Sequence, residues 1–213
     1  MKAQPQVDDR ERSLIARVCA GEKELFYELV RPHERRVYLA ALSVLGNEAD
    51  AEEVAQEAVL KALAHLAQFR SQAKFSTWLV QITINEARMR RRKDRRHLYD
   101  SIDAEHTGEE GDYTPRDFAD WREIPAEALE RKELVEALNR AIKALKPAYR
   151  EVLVLRDVQG LSTVEASRVL GVSEANVRTR LLRARLMMRD HLAPGFDGAW
   201  STGHKGWKQV RPW

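Results

Sequence analysis

The chain has 213 residues, enough for one large domain or two small ones with a linker, and 44% are hydrophobic, too many for disorder throughout. Cys19 is the only cysteine, which excludes a disulfide framework and any zinc site built on several thiolates. The formal net charge of +3 averages over a sharp reversal: residues 84–97 carry Arg88, Arg90, Arg91, Arg92, Lys93, Arg95 and Arg96 against two acids, whereas 98–128 carry ten acids against two arginines.

The opening residues, MKAQPQVDDRER, have no apolar signal core, and no apolar run is long enough to cross a bilayer; the expected setting is the cytoplasm, without membrane insertion. Periodicity predicts helix almost everywhere, and the short alternating runs that mark strands are missing. Two or three helices are expected between Ser13 and Gly46, punctuated at Gly21 and Pro32, with Leu39, Leu42 and Leu45 at threefold spacing. Asp50 and Glu53 have the spacing of a capping box, opening a helix marked by Val54, Ala58, Ala62 and Leu66 that runs to about Phe69. A polar loop, Arg70 to Lys74, leads to a helix over about 76–92 with Trp78 and Ile82 on one side and the arginine block at its end. Residues 97–128, with two glycines and two prolines amid the acids, read as a flexible linker.

Beyond it, Leu134, Leu138, Ile142 and Leu145 form an amphipathic stripe, and Pro147 suits the first turn of the next helix. Asp157 to Gly160 reads as a turn. Ser162 and Glu165 form a second capping box, Gly171 closes that short helix, and Ser173 caps a long one running to about Leu192. The remaining residues, 193–213, hold Trp200, Trp207 and Trp213 and show no periodicity. The stretch LSTVEASRVLGVSEANVRTR, residues 161–180, therefore has the proportions of a helix-turn-helix. In such a motif the second helix buries one face and offers the other to the major groove. Val177, Leu181, Ala184 and Met188 form the expected buried stripe, and Arg178, Thr179, Leu182 and Arg183 the opposite face. Arginine suits guanine's two acceptors, and apolar groups suit the thymine methyl. Free backbone N–H groups around Ser173 to Asn176 suit a phosphate.

Residues 145–185, LKPAYREVLVLRDVQGLSTVEASRVLGVSEANVRTRLLRAR, resemble the C-terminal promoter-binding domain of extracytoplasmic-function sigma factors in the sigma-70 family. DAEEVAQEAVLKALAHLAQF, residues 50–69, resembles that family's core-polymerase-binding helix. FSTWLVQITINEARMRRR, residues 75–92, resembles the helix that contacts and melts the −10 element. The resemblance implies an all-α fold of two small helical domains: a sigma-2-like bundle over 13–96 and a sigma-4-like helix-turn-helix domain over 129–192. Between them lies the acidic linker 97–128, and after them the tail 193–213.

It further implies that Glu53, Gln56 and Glu57 dock on the clamp helices of the largest subunit of core RNA polymerase, and that the second domain meets the flap of the second-largest subunit. The loop Arg70, Ser71, Gln72, Ala73, Lys74 would hold a base flipped out of the −10 element. Asn85 and Arg88 would lie near the opened duplex, and Arg90, Arg91 and Arg92 would meet phosphates. Ser173, Asn176, Arg178, Thr179, Leu182 and Arg183 would serve the −35 element. Phe75 and Trp78 fit a core cluster better than a base-stacking role. The implied partners are core polymerase, promoter DNA and an anti-sigma factor, with no cofactor, metal or catalytic step. Met89 and Ala166 depart from the common pattern of the family. Two competing readings follow from the residues alone. A stand-alone helix-turn-helix regulator leaves 50–69 and 75–92 without a purpose. A metal-dependent enzyme using Asp103, Glu105, His106, Glu109, Glu110 and Asp112 lacks a rigid frame for its ligands.

Overall fold

Capping chemistry and apolar spacing set most helix boundaries in the computed structural model, which describes residues 9–71, 73–99 and 131–192. Helix is the only regular structure among the described residues. In chain order the α-helices are α1 (Asp9–Cys19), α2 (Phe26–Val30), α3 (Glu34–Leu45), α4 (Glu48–His65), α5 (Phe75–Tyr99), α6 (Arg131–Ala144), α7 (Pro147–Leu153), α8 (Thr163–Leu170) and α9 (Glu174–Leu192). Short 3-10 turns precede α2, link it to α3 and follow α4.

Gly46 ends α3 at φ +74°, a left-handed conformation that side chains with a Cβ resist, and its N–H donates to Leu42 O at 2.9 Å. The next helix opens one turn earlier than its sequence suggests. Asn47 is the N-cap, its side chain accepting from Ala49 N, so Asp50 and Glu53 lie inside α4 and form no capping box. Asn47 wins because its short amide reaches an orphan N–H from extended backbone. The box at Ser162 and Glu165 is present in both directions, and Gly171 closes α8 at φ +68°. Ser173 Oγ accepts from Asn176 N at 3.2 Å and starts α9. Asp157 and Val158 belong to a π turn that prolongs α7 (Val154–Val158), and the reversal comes only at Gln159 and Gly160.

The first core is built from α3, α4 and α5. Val37, Ala40, Ala41 and Val44 of α3 meet Ala51, Val54, Ala58 and Ala62 of α4 and Leu79, Val80, Ile84 and Ala87 of α5, all essentially inaccessible. The leucines at threefold spacing in α3 flank this stripe and are only partly buried, as are Trp78 and Ile82 on α5. Small residues at the centre let neighbouring helices approach one another. Each fully buried Leu, Ile or Val contributes about 1.5–3 kcal/mol. Around α1, α2 and the start of α5 a second cluster gathers Val18, Phe26, Leu29, Val30, Leu66 and Phe75.

In the second helical set, Ala137 and Ala141 of α6 and Leu145 just past its end are buried, with Leu138 and Ile142 partly buried beside them. They pack with Val152 and Leu155 and with Val177, Leu181, Ala184 and Met188 of α9, the stripe expected from sequence. This set does not stand apart from the first. Ala40, Val44, Val80, Ile84 and Ala87 belong to the same continuous apolar cluster as Val152, Leu170 and Val177.

Candidate nucleic-acid and polymerase interfaces

With Val177, Leu181 and Ala184 turned inward, the opposite face of α9 is solvent-facing by geometry. Arg178, Thr179 and Leu182 are exposed, Leu182 by 61%, and Arg183 is half-buried. Arg178 Nη2 meets Glu174 Oε2 at 2.9 Å one turn back, and Thr179 Oγ1 donates to Ala175 O at 3.1 Å. Both bonds hold the side chains along the helix surface, and an exposed ion pair of this kind is worth little and yields readily. Ser173 is exposed and Asn176 half-buried beside it.

The loop before α5 hangs on an aromatic frame. Phe69, Phe75 and Trp78 lie with ring centroids 5.3–5.9 Å apart, and Phe75 is inaccessible while Trp78 is half-buried. The frame supports the core role expected for both residues. Within the loop, Arg70 and Lys74 are exposed, Ala73 is half-buried, and Ser71 takes φ +52°, a strained value for a residue with a Cβ. Gln72 lies outside the described residues.

Along α5, Asn85 and Arg92 are exposed, but the other arginines are engaged. Arg90 forms a two-pronged bond to Glu53 at 2.9 and 3.1 Å and also faces Asp50 at 3.5 Å and Asp94 at 3.7 Å. The guanidinium bond and the nearby positive charge hold Glu53 below the usual carboxylate range. Arg88 and Arg91 turn toward the second helical set, where both meet Glu151. The expected −10 and polymerase-docking residues thus touch one another through Arg90 and Glu53, while Arg88 and Arg91 point into a seam.

Glu53, Gln56 and Glu57 are all exposed on α4. Next to them is a groove of about 730 Å³ between α2, α3 and α4, lined by Phe26, Tyr27, Val30, Tyr38, Val59 and Leu60, with Gln56 among its walls. Tyr27 and Leu60 are 61% and 67% exposed. A concentrated apolar surface of this kind marks a docking site more often than an accident of composition. Sequence reading passed over it, because Tyr27 and Leu60 sit on different helices and neither belongs to a stripe.

Two family models match the chain, one within each helical set. The sigma-70 region 2 model matches residues 29–97 and the sigma-70 region 4 model residues 135–188. The ECF RNA polymerase sigma factor SigW of Bacillus subtilis is 32% identical over 84% of this chain and 94% of its own. The chain belongs to the sigma-70 family. The RNA polymerase sigma-H factor of Pseudomonas aeruginosa is 31% identical over 87% of this chain and 95% of that one. Among solved structures, CnrH in complex with the cytosolic domain of CnrY matches with a TM-score of 0.58 at 26% identity, covering 88% of this chain and 99% of that one. The Bartonella quintana sigma factor RpoE, in complex with the anti-sigma factor NepR, shares the fold with a TM-score of 0.57, covering 80% and 98%. Sigma factors of this family bind core RNA polymerase and direct initiation at promoters. The match over 29–97 accounts for the segment that a stand-alone regulator would leave idle.

The acidic residues of the enzyme reading, 103–112, lie outside the described residues, as do the tail tryptophans. Among the described residues no group of three potential metal ligands comes together, and no helix is long and apolar enough to cross a membrane.

Proposed function

We propose that this sigma factor docks on core polymerase through α4 and its groove, reads and opens the −10 element with α5 and its preceding loop, and grips the −35 element with α9. The observation that carries this reading is the pairing of two exposed, chemically distinct surfaces on one chain. One is an apolar groove beside Glu53, Gln56 and Glu57; the other is a capped helix presenting Arg178, Thr179 and Leu182. Acidic and amide groups at a groove rim orient a basic partner, while Tyr27 and Leu60 supply the apolar anchor. Arg183 and Arg178 suit guanine, and Leu182 suits a thymine methyl. Residues 13–96 and 129–192 form the two working domains, tied by the linker 97–128. The chain contributes recognition to polymerase and no catalytic step of its own, and it acts in the cytoplasm, where polymerase and chromosome are.

An anti-sigma factor is a natural partner, since the Bartonella sigma factor was solved with the anti-sigma factor NepR and CnrH with the cytosolic domain of CnrY. Run-off transcription with purified core polymerase on a promoter library tests the function: discrete start sites sharing −10 and −35 sequences are expected. Leu60→Ser, at an exposed and structurally undemanding position, should weaken polymerase binding in a pull-down while leaving helix content unchanged. Absence of both polymerase binding and specific starts would end the reading.

A further inference from the structure

The groove between α2, α3 and α4 joins an apolar lining to an acidic one. Phe26, Val30 and Val37 line it from the core, while Tyr27 and Leu60 stand open on its α2 and α4 walls. Its charged lining is Glu24, Glu34 and Glu52, all exposed, against the single cation Lys23. None of the three carboxylates has an ion-pair partner among the described residues. An occupant that fits brings apolar, preferably aromatic, area together with positive charge. Residues 193–213, APGFDGAWSTGHKGWKQVRPW, have that chemistry. They carry Trp200, Trp207 and Trp213, with Lys205, Lys208 and Arg211 against the lone acid Asp197, and each cation falls within two residues of a tryptophan. Tryptophan supplies the large, rigid apolar face that dominates binding hot spots. The other segments outside the described helices do not match. Residues 98–128, with ten acids against two arginines, are repelled by such a lining, and residues 1–8 hold no aromatic side chain. Reach is no obstacle: extended, residues 193–213 span up to about 70 Å, whereas a folded body of about 160 residues has a radius of gyration of about 15 Å.

We infer that residues 193–213 dock in this groove, a tryptophan seated against Tyr27 and Leu60 and the cations on Glu24, Glu34 and Glu52, so that core polymerase must displace the tail in order to bind. The inference rests on the groove being the polymerase face, as proposed above. Because the tail is tethered, weak contact suffices. At an effective concentration of about 1 mM, an intrinsic Kd of about 0.1 mM keeps about nine grooves in ten filled. Only the open fraction is competent, so apparent affinity for polymerase falls about tenfold relative to a chain whose tail cannot dock. The tail thereby sets how much of this sigma factor is needed to load the polymerase, with no second protein involved.

The test uses the full chain with the exposed Tyr27 replaced by photoreactive p-benzoylphenylalanine, irradiated alone and with core polymerase, the products mapped by mass spectrometry. Cross-links within one chain to residues 193–213 are expected in the free protein at every protein concentration, and should disappear with saturating polymerase. Trp200→Ser, Trp207→Ser and Trp213→Ser together should abolish that cross-link and tighten polymerase binding about tenfold, with helix content unchanged. Lys205→Glu, Lys208→Glu and Arg211→Glu together should do the same. The inference is overturned if the free chain gives no cross-link to 193–213, or gives it only between chains, which makes a second copy the occupant. Polymerase affinity unmoved by both sets of substitutions overturns it as well. Leu60→Ser added to the tryptophan variant separates the two levels. Unchanged polymerase affinity removes the groove as the polymerase face, whereas a loss of affinity beside no tail cross-link in the free chain removes only the tail.

Discussion

Glu165 shows how one side chain serves local and tertiary structure at once. It closes the capping box with Ser162 and accepts from Thr77 on α5. Burial opposes its charge, but the bonds from Ser162 and Thr77 and the field of Lys74 outweigh that and hold its pKa below the ordinary 4.5. A carboxyl with a lowered folded pKa stabilises the fold above its unfolded value, and that contribution disappears as pH falls through the folded one. His33 and His191 behave differently. Burial lowers both below 6.5, assisted at His33 by Arg36 and opposed at His191 by Asp190. Their neutral forms are favoured in the fold, so stability is complete above 6.5 and drains away as pH falls through their folded values. Urea midpoints should therefore decline first below about pH 6.5 and again below about 4.5, and His33→Gln should remove part of the first limb. Ser162→Ala should cost about 0.5–2 kcal/mol and flatten the second, read from the same titration. On the DNA side, Arg183→Ala should weaken binding to a −35 duplex by about 1–3 kcal/mol and relax preference at one base pair. An unchanged binding isotherm would remove Arg183 from the contact set.

At the level of single helices, α5 combines two kinds of arginine. Arg92 is exposed near its end, whereas Arg88, Arg90 and Arg91 are ion-paired within the fold. A phosphate contact from Arg92 carries no sequence information but releases counterions. Arg92→Ala should therefore reduce the slope of log affinity against log salt by about 0.7 on single-stranded DNA, at every sequence alike. Local signals made the second domain the more legible half. The Ser162–Glu165 box, the left-handed Gly171, the Ser173 cap and the Val177–Met188 stripe were all readable, because each depends on residues three or four apart. Boundaries and stripes failed where tertiary context chose. Asn47 displaced Asp50 as cap, alanines and valines displaced leucines as the centre of α3, and a π turn replaced the turn expected at Asp157. The seam was illegible for the same reason: Arg150 and Ser43 are 107 residues apart, and nothing local marks them as partners.

The molecule as a whole joins two recognition surfaces that a promoter separates. The shared apolar cluster and the guanidinium bonds across it give a closed arrangement, whereas reading two distant elements on one duplex requires the domains to part while remaining on one chain. Joint reading by a tethered pair depends on both the spacing and the helical phase of the two elements, because one turn of B-DNA takes about 10 base pairs. The most direct measurement is run-off transcription by holoenzyme on one active promoter whose −35 to −10 spacing is stepped one base pair at a time. A single sharp optimum is expected, with transcription collapsing when about 5 base pairs put the elements on opposite faces. Transcription indifferent to that insertion, or to deletion of the −35 element, would contradict it.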